Sequence, residues 1–119
     1  MSRDDGVALI AAERKRQVSE EGWTPEHDDK HEGGELAAAA VCYALPEDDR
    51  EFETGRYRWG KVVINVLDVL WPWWESPHRG APFMNWWKPT PDNRIRELVK
   101  AGALIAAEND RLQREESDE

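Results

Sequence analysis

Apolar residues in the first part of the chain recur every three or four positions, which is the spacing of a helix with one apolar face. Residues 7–21 are predicted to form this helix, with Asp4 or Asp5 as its N-cap and Gly22 as its end. A polar loop is expected over residues 23–34. The apolar face of the helix carries Val7, Ile10, Ala11, Arg14 and Val18.

Two later segments also have helical patterns. Residues 35–45 include four consecutive alanines, which favour helix and leave a thin rod that another helix can approach closely. Pro46 ends this segment. Residues 94–114 are predicted to form the last and clearest helix. Its apolar stripe consists of Ile95, Leu98, Val99, Gly102, Ile105 and Leu112.

The segments between these helices give weaker signals. Residues 46–60 are polar and are expected to form a loop. Residues 61–70 are ambiguous, because their β-branched side chains favour a strand while their polar positions at 61, 65 and 68 favour an amphipathic helix. We favour helix, since no second strand is evident for pairing. Residues 71–93 are rich in tryptophan and proline and are expected to form an irregular loop.

The predicted fold class is therefore all-α, a small antiparallel helical bundle. One domain is expected over residues 1–114, followed by a disordered acidic tail at 115–119. Alanine-rich helices bury little apolar area, and a chain of this length has a thin margin of stability. We expect the tryptophans and a second subunit to complete the core.

Composition restricts the partners of this chain. It has 119 residues, with 16 Lys+Arg against 25 Asp+Glu and a formal net charge of −9. This charge argues against a nucleic-acid polymer as ligand, but a small phosphorylated ligand remains possible because Mg²⁺ can join carboxylates to phosphate. No apolar run approaches the roughly 20 residues of a membrane span, and no signal peptide is expected. The single cysteine, Cys42, suits a reducing cytoplasm.

The strongest polar cluster lies in residues 20–35, which hold seven acids against one base. Crowded carboxylates repel one another unless a cation neutralises them. The cluster is thus either a divalent-metal site anchored by Glu35 on its helix, or a solvated acidic loop next to a helix start.

Two further groups of residues are candidates for ligand binding. Arg94, Arg96 and Lys100 place positive charge at the start of the last helix, against the preference of the helix dipole. Lys100 could contact a phosphate, or this turn could pair with the acidic loop. Trp23, beside the acidic cluster, is the tryptophan best placed to stack on a base, whereas the other tryptophans are expected to fill the core or a subunit contact.

Several motifs taken together resemble those of a group of small phage and prophage proteins related to the MazG-like nucleotide pyrophosphohydrolases. The resemblance covers most of the chain outside residues 46–70. It is carried by Glu13-Arg14-Lys15-Arg16-Gln17, Glu21-Gly22-Trp23-Thr24-Pro25-Glu26-His27-Asp28-Asp29-Lys30-His31, Gly34-Glu35-Leu36-Ala37, Tyr43-Ala44, Trp71-Pro72-Trp73, Trp87-Lys88-Pro89 and Leu98-Val99-Lys100-Ala101-Gly102-Ala103-Leu104-Ile105.

This resemblance implies an all-α homodimer or homotetramer in the cytoplasm of a bacterial host. It implies a Mg²⁺- or Mn²⁺-dependent enzyme that converts a (d)NTP to (d)NMP and pyrophosphate. Glu35 or Asp29 would accept a proton from the attacking water, and Lys100 would offset phosphate charge. The implied metal ligands are Asp29, His31, Glu32, Glu35 and Glu97, and the implied substrate contacts are Arg16, Trp23, His27 and Lys100.

The chain departs from both metal motifs of that superfamily. His31 stands where the first glutamate of the first motif is expected. The second motif has two imperfect candidates: Asn65-Val66-Leu67-Asp68 keeps the aspartate but lacks the glutamate, and Glu97-Leu98-Val99-Lys100 keeps the glutamate but has a lysine in place of the aspartate. The alternative function is therefore a non-catalytic module that sequesters a nucleotide signal or a host protein.

Overall fold

A computed structural model describes residues 5–30, 34–67 and 88–117 of the chain. These residues form four α-helices, a short 3-10 helix and one β-hairpin. In chain order the elements are α1 (Gly6–Glu20), α2 (Pro25–Asp29), α3 (Glu35–Ala44), the 3-10 helix (Glu47–Asp49), β1 (Glu51–Tyr57), β2 (Gly60–Asn65) and α4 (Arg94–Ser117).

The three long helices confirm the prediction from spacing. The N-cap of α1 is Asp5, whose side chain accepts a hydrogen bond of 2.9 Å from Ala8 N. Within the predicted polar loop, Thr24 caps the five-residue α2 by accepting from His27 N at 3.3 Å. Helix α4 continues to Ser117, so the tail expected to be disordered from residue 115 is helical over its first three residues.

The all-α prediction is wrong, because β1 and β2 form a two-stranded antiparallel sheet. Of residues 61–70, for which we favoured helix, 61–65 lie in β2, 66 and 67 are helical, and 68–70 lie outside the described residues. The missing partner strand lies in residues 51–57, which we assigned to loop. Phe52 pairs with Ile64, and Tyr57 pairs with Gly60 across a two-residue turn. Phe52 and Val63 are 48 and 49 % exposed, on strand positions that face opposite sides of the sheet. A strand exposed on both faces lacks the alternation by which a buried face is recognised.

The core lies where α3 packs against α4. As the run of alanines predicted, small side chains allow the two helices to approach closely. The core cluster comprises Trp23, Leu36, Ala39, Ala40, Cys42, Tyr43, Ala101, Leu104 and Ala107.

The helices do not turn the expected faces to this core. Helix α1 buries Glu13 and Gln17, while Val7 of its predicted apolar face is 78 % exposed. The predicted apolar stripe of α4 is also largely exposed to solvent. Among its bulky residues, only Val99 is buried. Ile95, Leu98, Ile105 and Leu112 are 65, 48, 57 and 48 % exposed.

Helices α1 and α4 meet at Gly102. A Cβ atom at this glycine would lie 2.8 Å from Ile10 Cγ1, closer than packed carbon atoms approach. The missing side chain therefore lets Ile10 pack directly against the backbone of α4. Among the helices of the described ranges, none is long and apolar enough to cross a membrane.

Candidate functional site

Glu97, an implied metal ligand, contacts two arginines. Both arginines bind carbonyl groups at the C-terminal end of α3. The side chain of Glu97 is 2 % exposed and accepts a hydrogen bond of 3.2 Å from Arg50 Nη2, while Arg94 Nη1 lies 3.6 Å away. Arg50 Nε donates to Cys42 O at 2.9 Å, and Arg94 donates to Tyr43 O at 3.0 Å and to Ala44 O. These carbonyls belong to the last turn of α3, where no intrahelical donor is available. Arg94, one of the cations at the start of α4, thus binds the C-terminal carbonyl groups of α3.

The aspartates of α2 are also paired with arginines. Asp28 is fully buried, forms a salt bridge with Arg14 and lies 3.1 Å from His27 Nδ1. Asp29, an implied base and metal ligand, pairs with Arg114 Nη2 at 2.7 Å. These contacts fasten the segment after α1 to α1 and α4, and they engage Asp29, which was implied as a metal ligand.

The remaining implied ligands do not complete a metal centre in the described part of the chain. Glu35 lies in the first turn of α3. His31 and Glu32 lie outside the described residues. No group of three or more histidine, cysteine, aspartate or glutamate side chains within residues 5–30, 34–67 and 88–117 could hold a metal ion.

A different set of charges converges on Glu13, the buried carboxylate of α1. Arg16 binds both carboxylate oxygens of Glu13, at 2.8 and 2.9 Å, and Arg96 Nη2 approaches Oε1 at 2.5 Å. Arg16 also reaches Glu21 at 3.1 Å, and Lys88 Nζ lies 2.8 Å from the same carboxylate. We call the residues Glu13, Arg16, Glu21, Lys88, Arg96 and Lys100 the Glu13 cluster.

The carboxylates of this cluster are held in their charged form. Burial by itself raises the pKa of Glu13, but the hydrogen bond from Arg16 and the charge of Arg96 outweigh it, so the pKa lies below 4.5. Burial likewise raises the pKa of Glu21, and hydrogen bonds from Lys88 and Arg16 bring it below 4.5. The pKa of Arg16 is raised, chiefly by its hydrogen bond to Glu13.

Lys100 differs from the other cations of the cluster. It is 6 % exposed, and its Nζ donates to Lys88 O at 2.5 Å and lies 5.6 Å from the centre of the Tyr43 ring. Within the described ranges, no carboxylate forms a salt bridge with this ammonium group. Burial, followed by the charge of Arg96, lowers the pKa of Lys100. Its positive charge is therefore poorly compensated, and an anion nearby would be favoured.

The segment around Lys88 closes one side of the cluster. The backbone N–H of Lys88 donates to Tyr43 Oη at 2.9 Å, and Thr90 N donates to Glu97 at 3.3 Å. Burial raises the pKa of Tyr43 to about 12, so this hydroxyl stays protonated. The segment is thus fastened to α3 and α4 through polar contacts.

Gln17 adds a polar atom to the same region. It is 1 % exposed and its Nε2 donates to Glu13 Oε2 at 3.3 Å. In the described part of the chain, no donor reaches Gln17 Oε1. A buried acceptor in this state costs free energy that a ligand or water could recover.

Two cavities adjoin the cluster and share Glu13 and Arg16. The inner one measures about 10 Å³, which is room for one water molecule, and is also lined by Gln17, Trp23 and Lys100. The outer one is a groove of about 340 Å³ between α1 and α4, a volume within the range of small-molecule sites. Its walls are Leu9, Ala12, Glu13, Arg16, Asn93, Ile95, Arg96 and Val99.

The structure thus brings the implied substrate contacts together more closely than the implied metal ligands. Arg16, Trp23 and Lys100 line the inner cavity, and the His27 ring stacks on Trp23 with centroids 6.2 Å apart. Trp23 is 7 % exposed and belongs to the core, so in this conformation its ring is not open to a base.

Glu13, Gln17 and Lys88 were not predicted as site residues, whereas Arg96 belongs to the positively charged group predicted at the start of the last helix. Glu13 and Gln17 are four residues apart and therefore lie on one face of α1, but a polar pair on a helix ordinarily indicates a solvated face. Only the fold reveals that this face is buried.

Comparisons with protein families, curated proteins and solved structures find no match to this chain. The chain is therefore characterised by its own described residues: helices and a β-hairpin, with a partly buried cationic cluster beside an open groove.

Proposed function

We propose that this protein binds a nucleoside phosphate in the groove between α1 and α4, within the cytoplasm. The observation that carries the proposal is the excess of cations at the Glu13 cluster. Arg16, Arg96, Lys88 and Lys100 surround Glu13 and Glu21, and the buried Lys100 makes no salt bridge within the described residues. Even with the exposed Glu20, which lies 3.2 Å from Arg16, the cations exceed the carboxylates.

The walls of the groove supply the second half of the recognition. Leu9, Ala12, Ile95 and Val99 offer an apolar surface for a base or sugar, while Arg16 and Arg96, which also hold Glu13, place positive charge at the same groove for the phosphates. Guanidinium groups suit phosphate because their donors match its oxygens in geometry. Lys100 adds its charge from the inner cavity, and the low dielectric of the interior strengthens this field.

Hydrolysis to a monophosphate and pyrophosphate is a separate prediction, made from the resemblance. The described residues do not fit a magnesium centre, because Glu97 and Asp29 are engaged by arginines. We therefore derive no hydrolytic step from them. Binding without turnover is the function that the described geometry supports best.

The proposal is tested by equilibrium dialysis against a panel of NTPs, dNTPs, cyclic nucleotides and inorganic pyrophosphate, with and without Mg²⁺ or Mn²⁺, followed by chromatography of the products. Stoichiometric retention of an intact nucleotide is expected. Pyrophosphate release that requires the metal and disappears in Glu35→Ala would instead establish the hydrolase. If no ligand is retained and none is cleaved, both functions are excluded.

Two variants test the proposed contacts. Lys100→Met removes the buried ammonium and is expected to weaken binding of every phosphorylated ligand about tenfold, which corresponds to about 1.4 kcal/mol. Lys15→Met, at an exposed position of α1, is the matched control and should bind normally. Ile95→Asn removes apolar wall at a residue that is 65 % exposed, so it should weaken nucleotides but not pyrophosphate. Val7→Asn, at an exposed apolar position that does not line the groove, controls for it.

A further inference from the structure

Three large apolar residues lie on the side of α4 that faces away from the core. Leu98, Ile105 and Leu112 are 48, 57 and 48 % exposed, whereas Leu104 and Ala107 are 2 and 1 % exposed. Because the three exposed residues follow one another at intervals of seven, they form one line along the helix, which we call the α4 seam. Half-exposed leucine and isoleucine side chains in a continuous line are typical of a surface that another protein covers.

We propose that a second copy of this chain covers the α4 seam, with the two α4 helices antiparallel about a two-fold axis at Ile105. The equal spacing makes the seam complementary to itself. When Ile105 opposes Ile105 of the partner subunit, Leu98 opposes Leu112 of the partner subunit, and the reverse pair forms by symmetry. One two-fold contact thus covers both seams at once and closes the assembly.

The distribution of charge along α4 favours this direction. Of the charged residues in 94–100, Glu97 and Lys100 are buried within the subunit, which leaves the cations Arg94 and Arg96, whereas Asp110, Glu115 and Glu116 are exposed acids towards the other end of the helix. Antiparallel pairing brings the basic part of each helix against the acidic part of the other, with Arg94 opposite Glu116 of the partner subunit. The side chain of Arg94 is 38 % exposed, so it can take part while it holds the end of α3. Parallel pairing would set like charges against each other.

The seam is small, and this determines the expected strength of the dimer. Three large apolar residues from each chain correspond to a contact at the low end of specific interfaces, so we expect a dissociation constant on the order of micromolar. The contact does not depend on the nucleotide site, because none of the three seam residues lines the groove.

Sedimentation velocity across a wide range of protein concentration tests the contact. The wild-type chain is expected to pass from monomer to dimer, and Ile105→Glu is expected to remain monomeric because it opposes two carboxylates at the axis. Val7→Glu is the matched control, since Val7 is an exposed apolar residue of α1, and it should dimerise like the wild type. Unchanged far-ultraviolet circular dichroism shows that each variant is folded. A wild-type chain that stays monomeric, or Ile105→Glu that dimerises, would overturn the proposal.

Single cysteines test the register. Ile105→Cys is expected to form a disulfide-linked dimer under mild oxidation, because each residue 105 faces its own copy. Leu98→Cys alone and Leu112→Cys alone should not cross-link, but an equal mixture of the two should. The wild type is the control, since Cys42 is fully buried. Cross-linking of Leu98→Cys by itself would indicate the parallel arrangement and refute the antiparallel one.

Discussion

Replacing Glu97 by alanine is expected to destabilise the fold itself, whether or not a metal is present. The substitution removes the carboxylate that accepts from Arg50 and from Thr90 N, and it breaks the buried ion pair between Glu97 and Arg50. The side chains of Glu97 and Arg50 are 2 and 5 % exposed, so water cannot compensate for the loss.

The size of the effect follows from this burial. Breaking a buried ion pair by removing one partner costs about 3–5 kcal/mol. The contact of Arg94 adds little, because its side chain is 38 % exposed and its distance to Glu97 is 3.6 Å. With a total stability of about 5–15 kcal/mol, the loss takes a large fraction of the whole.

Urea unfolding followed by tryptophan fluorescence and circular dichroism measures this loss. A destabilisation of about 4 kcal/mol and a slope of about 2 kcal/mol/M correspond to a midpoint lowered by about 2 M. Glu97→Gln keeps an acceptor oxygen and is expected to lie between alanine and wild type.

Glu53→Ala provides a matched control for Glu97→Ala. Glu53 pairs with Arg56, whose side chain is 80 % exposed, so this loss should stay below about 1 kcal/mol. If Glu97→Ala also costs less than about 1 kcal/mol, then Glu97 does not act as the anchor of the α3 terminus, and its assignment as a metal ligand regains force.

Three further outcomes are expected. Gly102→Ala should lower the melting temperature by the equivalent of about 1–3 kcal/mol, because its Cβ would meet Ile10 and this outweighs the gain in helix propensity. Ile10→Ala should relieve the effect, and an unchanged Tm of Gly102→Ala would refute the close contact. Burial raises the pKa of Cys42 to about 11, so a thiol reagent at pH 8 should label it only after unfolding, and rapid labelling of the folded chain would show that the core is open. The lowered pKa values of Glu13 and Glu21 contribute stability above pH 4.5, and this stability is lost as the pH falls through their folded-state pKa values. Glu13→Gln should therefore reduce the dependence of the free energy of unfolding on pH between about pH 7 and 3. The same dependence in the variant and the wild type would argue against this contribution.

The helices could be predicted because their signals are local. Asp5 caps α1, and the alanines of α3 favour helix wherever they occur, whereas the five-residue α2 lies in a segment predicted as a loop. The hairpin could not be predicted, because Phe52 and Val63 lie in strands that are exposed on both sides of the sheet. Neither strand therefore carries an alternating pattern of apolar and polar residues. The pairing that stabilises β2 depends on β1, a segment whose composition alone indicates a loop.

The side of each helix that faces the core was also beyond local inference. The stripe with Leu98 and Ile105 on α4 was correctly recognised as apolar, but the buried surface of α4 lies beside it and beyond, at Ala101, Leu104 and Ala107. Helices with short side chains can approach closely on a face of low hydrophobicity, so the most apolar stripe need not be the buried one.

Local patterns in the sequence predicted the three long helices, but not α2 or the last turn of α4, and composition established the excess of acid. Contacts between the elements specify which of the charges meet. Arg94 serves the carbonyls of α3, Glu97 is engaged by Arg50, and Lys100 is buried beside Arg96. Backbone conformation depends on neighbours within a few positions, whereas the partner of a charged side chain depends on contacts between residues tens of positions apart, and no spacing along the chain specifies those.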